Sequence, residues 1–191
     1  MSLERCDLSL SGLSSLLIAL GGWRNAGALK FCEKYNVDRN KWNNLPSLNT
    51  SRYSPGNILL QSMRAFCFCG YGSESILNSI ERLEPHQEGG WKTLPLNDKI
   101  PKTFYLGATE YGNKVVLFGG SSGTFYITYI LSEEGELEMN LSFALHVSGL
   151  MRTGPYSVKR GKIYALGENK AKIKTEWNLR VFDGQKWMVM K

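Results

Sequence analysis

The chain has 191 residues, 23 basic against 17 acidic groups and a formal net charge of +6. That length can bury one sizeable core, and no apolar run approaches the roughly 20 residues of a membrane-spanning helix. Twenty glycines, six prolines and an aromatic content of 12% suit a turn-rich β protein.

In chain order, Arg5 precedes an apolar segment, Leu13 to Leu20, that ends in Gly21-Gly22. Glu4 and Asp7 break the basic flank of a signal peptide, so the segment reads as a strand. The loop Trp23-Arg24-Asn25 follows, then Glu33-x-Tyr35, a polar turn at Asp38-Arg39-Asn40-Lys41, and Trp42-x-x-Leu45-Pro46. The order then starts again. Arg52-Tyr53-Ser54 leads to Phe66-Cys67-Phe68-Cys69-Gly70, Tyr71, Glu81-x-Leu83, the turn Glu88-Gly89-Gly90 and Trp91-x-x-Leu94-Pro95. A third pass runs through Lys102-Thr103-Phe104, Val115-Val116-Leu117-Phe118-Gly119-Gly120, Ser121-Ser122 and an acidic stretch from Glu133 to Glu138. Val115 and Leu117 would face one side of their strand, Val116 and Phe118 the other, so both faces are expected to be buried. A fourth pass holds Arg152-Thr153, Ile163-Tyr164-Ala165-Leu166-Gly167, Asn169-Lys170, the turn Asp183-Gly184-Gln185 and Trp187. No stretch keeps a helical period, and the expected fold class is all-β.

The landmarks are in phase. The first glycine position falls at 21, 69, 119 and 167, Trp42, Trp91 and Trp187 follow it by 20 to 22 residues, and Met139 stands where the third tryptophan would. Arg5, Arg52, Lys102 and Arg152 precede it by 15 to 17 residues. A period of this length marks stacked or radially arranged units. The tryptophans are expected to cap contacts between sheets, given the area that such a ring buries.

Basic residue, strand, glycine pair, Glu-x-Tyr and Trp with a following Leu-Pro together resemble the kelch repeat. That repeat is one four-stranded blade of a β-propeller. The resemblance covers nearly the whole chain, fullest in the second unit and eroded in the third and fourth. It implies one domain, residues 1–191, forming a kelch-type β-propeller or part-propeller of about four four-stranded antiparallel blades at 1–47, 48–97, 98–147 and 148–191. Four blades are few for the family, so completion of the propeller by another chain is an expectation as well.

Cys67 and Cys69 share a strand face and lack zinc-knuckle spacing; with Cys6 and Cys32 they read as small core residues of a reduced, intracellular protein. The sequons at Asn49 and Asn140 are too short a signal to reverse this. Gly70-Tyr71-Gly72 lacks the third glycine and the helix of a dinucleotide loop. His86 and His146 are the two histidines, and neither is placed beside a nucleophile. The basic residues Lys159, Arg160, Lys162, Lys170, Lys172 and Lys174 read as a solvated sheet edge before they read as a nucleic-acid patch.

The expected function is therefore a non-catalytic protein–protein interaction scaffold, with no catalytic residue, metal or cofactor. It would be cytoplasmic, cytoskeletal settings included, and a subunit of a larger assembly. The resemblance places partner contacts on the loops that lead into each first strand and those that follow each glycine strand: Trp23, Arg24, Arg52, Tyr53, Tyr71, Lys102, Phe104 and Arg152. Aromatic and arginine side chains dominate binding interfaces, and arginine favours an acidic partner. For Arg52 and Arg152 the competing reading is that they brace neighbouring blades. A substrate adaptor of a ubiquitin ligase is the alternative function, and a small enzyme with a propeller active site the third.

Overall fold

The computed structural model describes residues 1–85, 89–95, 100–112, 114–120, 126–132, 136–143, 153–159, 162–170, 175–183 and 187–189. His86, His146, Ser121, Ser122, Arg152, Arg160, Lys172, Lys174 and residues 133–135 lie outside them. The described residues form strands and turns, without a helix, and so none is long and apolar enough to cross a membrane. The chain divides into two units, Met1–Phe104 and Tyr105–Lys191.

The first unit holds two four-stranded antiparallel sheets. Strands β1 (Ser9–Leu13), β2 (Leu16–Leu20), β5 (Cys32–Asn36) and β6 (Lys41–Leu45) pair in that order. Between β2 and β5 the chain makes a short ribbon, β3 (Trp23–Arg24) with β4 (Gly27–Ala28), whose turn puts Asn25 and Ala26 at positive φ. The second sheet runs β7 (Gly56–Leu59), β8 (Ala65–Phe68), β9 (Ile80–Leu83), β10 (Lys92–Leu94). Burial falls across it: every residue of β7 and β8 is buried, half of β9, none of β10. An apolar-on-both-faces strand is stable only with cover on both sides, which is why the glycine strands read as unbroken apolar runs rather than alternating ones.

One core joins the two sheets. Ile18, Leu20 and Cys32 of the first meet Leu59, Ala65 and Cys67 of the second, with Leu48 and Trp91. Trp91 is 4% exposed, and its indole N–H donates to the Pro46 carbonyl at 2.9 Å, so a ring of this size is buried without an orphaned donor. Trp42 behaves differently. It is half-buried and packs on Tyr35 of its own sheet, ring centroids 5.0 Å apart. The expectation that each periodic tryptophan caps a sheet contact therefore holds for Trp91 and needs correction for Trp42. On the other face of β8, Phe66 and Phe68 stack at 5.7 Å.

The second unit also holds two four-stranded antiparallel sheets. One is β11 (Leu106–Tyr111), β12 (Lys114–Gly119), β13 (Tyr126–Ser132), β14 (Leu137–Phe143); the other is β15 (Thr153–Lys159), β16 (Lys162–Lys170), β17 (Thr175–Phe182), β18 (Trp187–Val189). Val115, Val116, Leu117 and Phe118 are all buried, as the sequence requires. Pro155 sits in edge strand β15 where the register shifts between Thr153 and Tyr156, a position at which its missing N–H costs no ladder bond. Tyr111 meets Phe182 edge-on at 6.1 Å.

Two sequence expectations change here. Asn169 and Lys170 belong to the end of β16 rather than to a loop after it. The lysine patch is also split: Lys159 pairs with Lys162 at one end of β16, while Lys170 lies at the other end of that nine-residue strand. At about 3.3 Å per residue the backbone at the two ends of the strand is roughly 25 Å apart.

Candidate functional site

In the first unit the sequence period is mirrored by a period of backbone hydrogen bonds around the glycine pairs. Gly22 N–H donates to the Arg52 carbonyl and Gly70 N–H to the Thr103 carbonyl, each at 2.9 Å. Leu29 donates to Gly22 and Leu77 to Gly70; Arg52 donates to Leu29 and Thr103 to Leu77. One residue further on, Trp23 exchanges two bonds with Cys6, and Tyr71 exchanges two with Tyr53. Asp7, Ser54 and Tyr105 then take positive φ at matching places. These loops need glycine at their second position: Gly22 has φ +113 and Gly70 φ +96, and a Cβ there would collide with the carbonyl oxygens of Cys6 and Tyr53 respectively; Gly21, before it, has φ +62. At the same place in the next repeat Cys69 tolerates φ +53 without being glycine.

This register decides which residues are equivalent. Thr103, not Lys102, occupies the place of Arg52, because the leading loop of the third repeat is one residue out of step with the linear count. Arg52 itself is not a surface residue. Its side chain is 0% exposed, donating to the Cys69 carbonyl at 2.7 Å and the Ser79 carbonyl at 3.0 Å, and pairing with Glu81 at 2.5 Å. Glu81 also accepts from the N–H groups of Asn49 at 2.6 Å and Thr50 at 3.0 Å. The first sheet repeats the device: Arg5 pairs with Glu33 at 2.9 Å, and Glu33 accepts from Ser2 N–H at 2.7 Å. Both ion pairs have fully buried side chains. Burial alone would raise the Glu33 carboxyl, but the Ser2 donors and the Arg5 guanidinium hold it below the usual glutamate range.

As a contact for a partner Arg52 is thus corrected to a brace. Its guanidinium is spent inside the fold, joining the leading chain to β8 and β9. Arg152 lies outside the described residues. In the sequence Arg5 and Glu33, and Arg52 and Glu81, stand as separate landmarks 28 and 29 residues apart. The glutamate stands opposite the residue two before the first glycine position, Glu33 opposite Ala19 and Glu81 opposite Cys67. The same register gives Tyr129 opposite Leu117 and Arg180 opposite Ala165. Where threonine stands in place of the arginine, at Thr103, the register puts Tyr129 in the glutamate's place; in the fourth repeat Arg180 stands there although the sequence keeps Arg152.

The remaining residues singled out from sequence do come together. Trp23, Tyr53, Tyr71 and Phe104 form a continuous aromatic column with centroid separations of 4.9, 5.2 and 6.1 Å. It alternates between glycine loops (Trp23, Tyr71) and leading loops (Tyr53, Phe104). All four rings are half-buried, and Arg24 and Lys102 are exposed on the same loops. Two carboxylates, Asp7 and Glu74, are exposed there too. Edge-to-face and tilted contacts at these distances fix ring orientation beyond what area burial alone gives.

Cysteine chemistry lies elsewhere. Cys32, Cys67 and Cys69 are buried free thiols; desolvation pushes Cys32 up to about 11 and Cys69 up to about 12, and moves Cys67 further the same way. Cys6 is exposed beside Trp23, which corrects the expectation of a core role for it.

No family model and no curated protein matches the chain.

Proposed function

We propose that the chain is a kelch-type propeller module, whole or part, acting as a non-catalytic protein interaction scaffold whose loop end binds an acidic segment of a partner protein. The aromatic column Trp23–Tyr53–Tyr71–Phe104 carries this reading. Two observations favour the propeller: four four-stranded antiparallel meanders, each within one sequence repeat, and the ion pairs and glycine-loop hydrogen bonds that recur with the period. The closing of the ring, by this chain or with another, is part of the same proposal.

Rigid, half-exposed rings held by main-chain bonds offer a partner large apolar contact at little entropic cost. Arg24 and Lys102 would select for carboxylates, while Asp7 and Glu74 on the same loops would keep the site from attracting any polyanion. Four free thiols suit an intracellular setting. The test is affinity capture with the immobilised chain and its Tyr71→Ala and Arg24→Glu variants. Tyr71→Ala is expected to weaken partner binding by about 30-fold, the size of a hot-spot loss. Undiminished capture by both variants, with near-ultraviolet circular dichroism unchanged, would sink the loop-end site.

A further inference from the structure

A second concave feature lies between the two sheets of the first unit, and it does not involve the loops. It is a cleft of about 260 Å³, walled by Leu16, Ile18, Leu45, Leu59, Ala65 and Leu83. Its floor is the core itself, since Ile18, Leu59 and Ala65 are buried members of the shared cluster. Lys34 is exposed at its rim and also lines an adjoining polar basin with Leu16, Asn36, Arg39, Asn43 and Asn44.

Register explains the gradient from apolar to basic. Ile18 stands opposite Lys34 and Leu16 opposite Asn36; Lys34 in turn stands opposite Asn43, and Cys32 opposite Leu45. These residues share one face of the sheet, because side chains alternate along each strand and align across it. Towards the glycine end that face is Leu20, Cys32 and Leu45; towards the other end it becomes Lys34, Asn36 and Asn43. The single carboxylate in the wall, Glu84, is already engaged by Arg64 at 3.0 Å and Arg82 at 2.6 Å. Lys34 and Arg39 line the basin with three amides and no acid. The site is thus apolar at its base and cationic at its mouth.

We propose that this cleft binds a medium-chain fatty acid, its alkyl chain against the leucines and its carboxylate on Lys34 and the basin amides. The volume sits just under the roughly 300–1,000 Å³ of sites for drug-sized ligands, which suits a single alkyl chain better than a ring system. An ammonium beside an apolar slot meets a carboxylate as a compact, mobile point charge.

The experiment is a ¹⁵N-resolved titration of the full chain with hexanoate, octanoate, decanoate and, as the uncharged comparison, decanol, below micelle-forming concentrations. Saturable shifts are expected at Leu16, Lys34, Leu45 and Leu83, with affinity rising about fourfold per added methylene. Lys34→Gln, a surface change that leaves the core intact, should weaken decanoate about tenfold and leave decanol unchanged. The proposal is overturned if the shifts are absent, if affinity ignores chain length, or if Lys34→Gln treats acid and alcohol alike. Tyr71→Ala should leave the titration untouched, so the outcome is independent of the loop-end site.

Discussion

Replacing Glu81 by alanine tests the buried ion pair most directly. The carboxylate neutralises Arg52, whose side chain is fully buried, and caps the N–H groups of Asn49 and Thr50. Removing it strands a guanidinium that keeps only carbonyl and hydroxyl acceptors, from Thr50, Cys69 and Ser79. Breaking a buried pair from one side costs about 3–5 kcal/mol, a large share of the roughly 5–15 kcal/mol that holds a domain folded. A loss of about 3 kcal/mol should lower the thermal midpoint of a unit this size by about 12 °C or more. Urea unfolding followed by the fluorescence of Trp91, buried in the same core, would read the change. Arg52→Met should cost less, because the carboxylate retains two backbone donors. The double variant Arg52→Met/Glu81→Ala should lose less than the sum of the singles, with a coupling of about 1–3 kcal/mol. A Glu81→Ala loss below about 1 kcal/mol, or strict additivity in the cycle, would refute the pair as a structural brace.

Two further predictions follow from the same interior. The Glu33 carboxyl is held below its ordinary value, so its contribution to stability is present above about pH 4.3 and is lost as pH falls through the lower folded value. Urea midpoints measured between about pH 5 and pH 3 should therefore fall, and Glu33→Gln should start lower and fall less; parallel curves would contradict this. Mass spectrometry after brief native alkylation should find Cys6 modified and Cys32, Cys67 and Cys69 protected until denaturant is added, since the three are buried and desolvation raises their thiols. Equal labelling of any buried cysteine would mean that the core opens far more readily than its packing implies.

Much of the fold was legible because its signal is local. Apolar runs without alternation gave the buried strands β8 and β12, and the glycine positions after β2 and β8 marked the loops that follow them, whereas β16 runs on past Gly167 to Lys170. The misreadings have a common cause. Counting back 17 residues from a glycine position selects Lys102, but loops absorb length and hydrogen-bond register does not, so Thr103 takes the place of Arg52. The pairing of Arg52 with Glu81 spans 29 residues and two strands, and no spacing rule distinguishes it from a surface arginine. The cleft is less legible still, because its walls come from β2, β5, β6, β7, β8 and β9 and from the turn residue Met63.

What the chain does with its repeat can be argued from two adjacent residues. Side chains of neighbouring residues in extended backbone point to opposite sides. Arg5 and Arg52 turn inward to their glutamates, so the next residues, Cys6 and Tyr53, turn outward to the glycine loop; Thr103 and Phe104 keep the same polarity after the ion pair has gone. In the first two repeats the inward position is held by its ion pair with the glutamate. The outward position is constrained only to meet Trp23 or Tyr71, and there the sequence varies through cysteine, tyrosine and phenylalanine. For the proposed loop-end site, the residue to mutate is therefore Tyr53, the neighbour of the arginine, and not Arg52, whose side chain is spent in the brace.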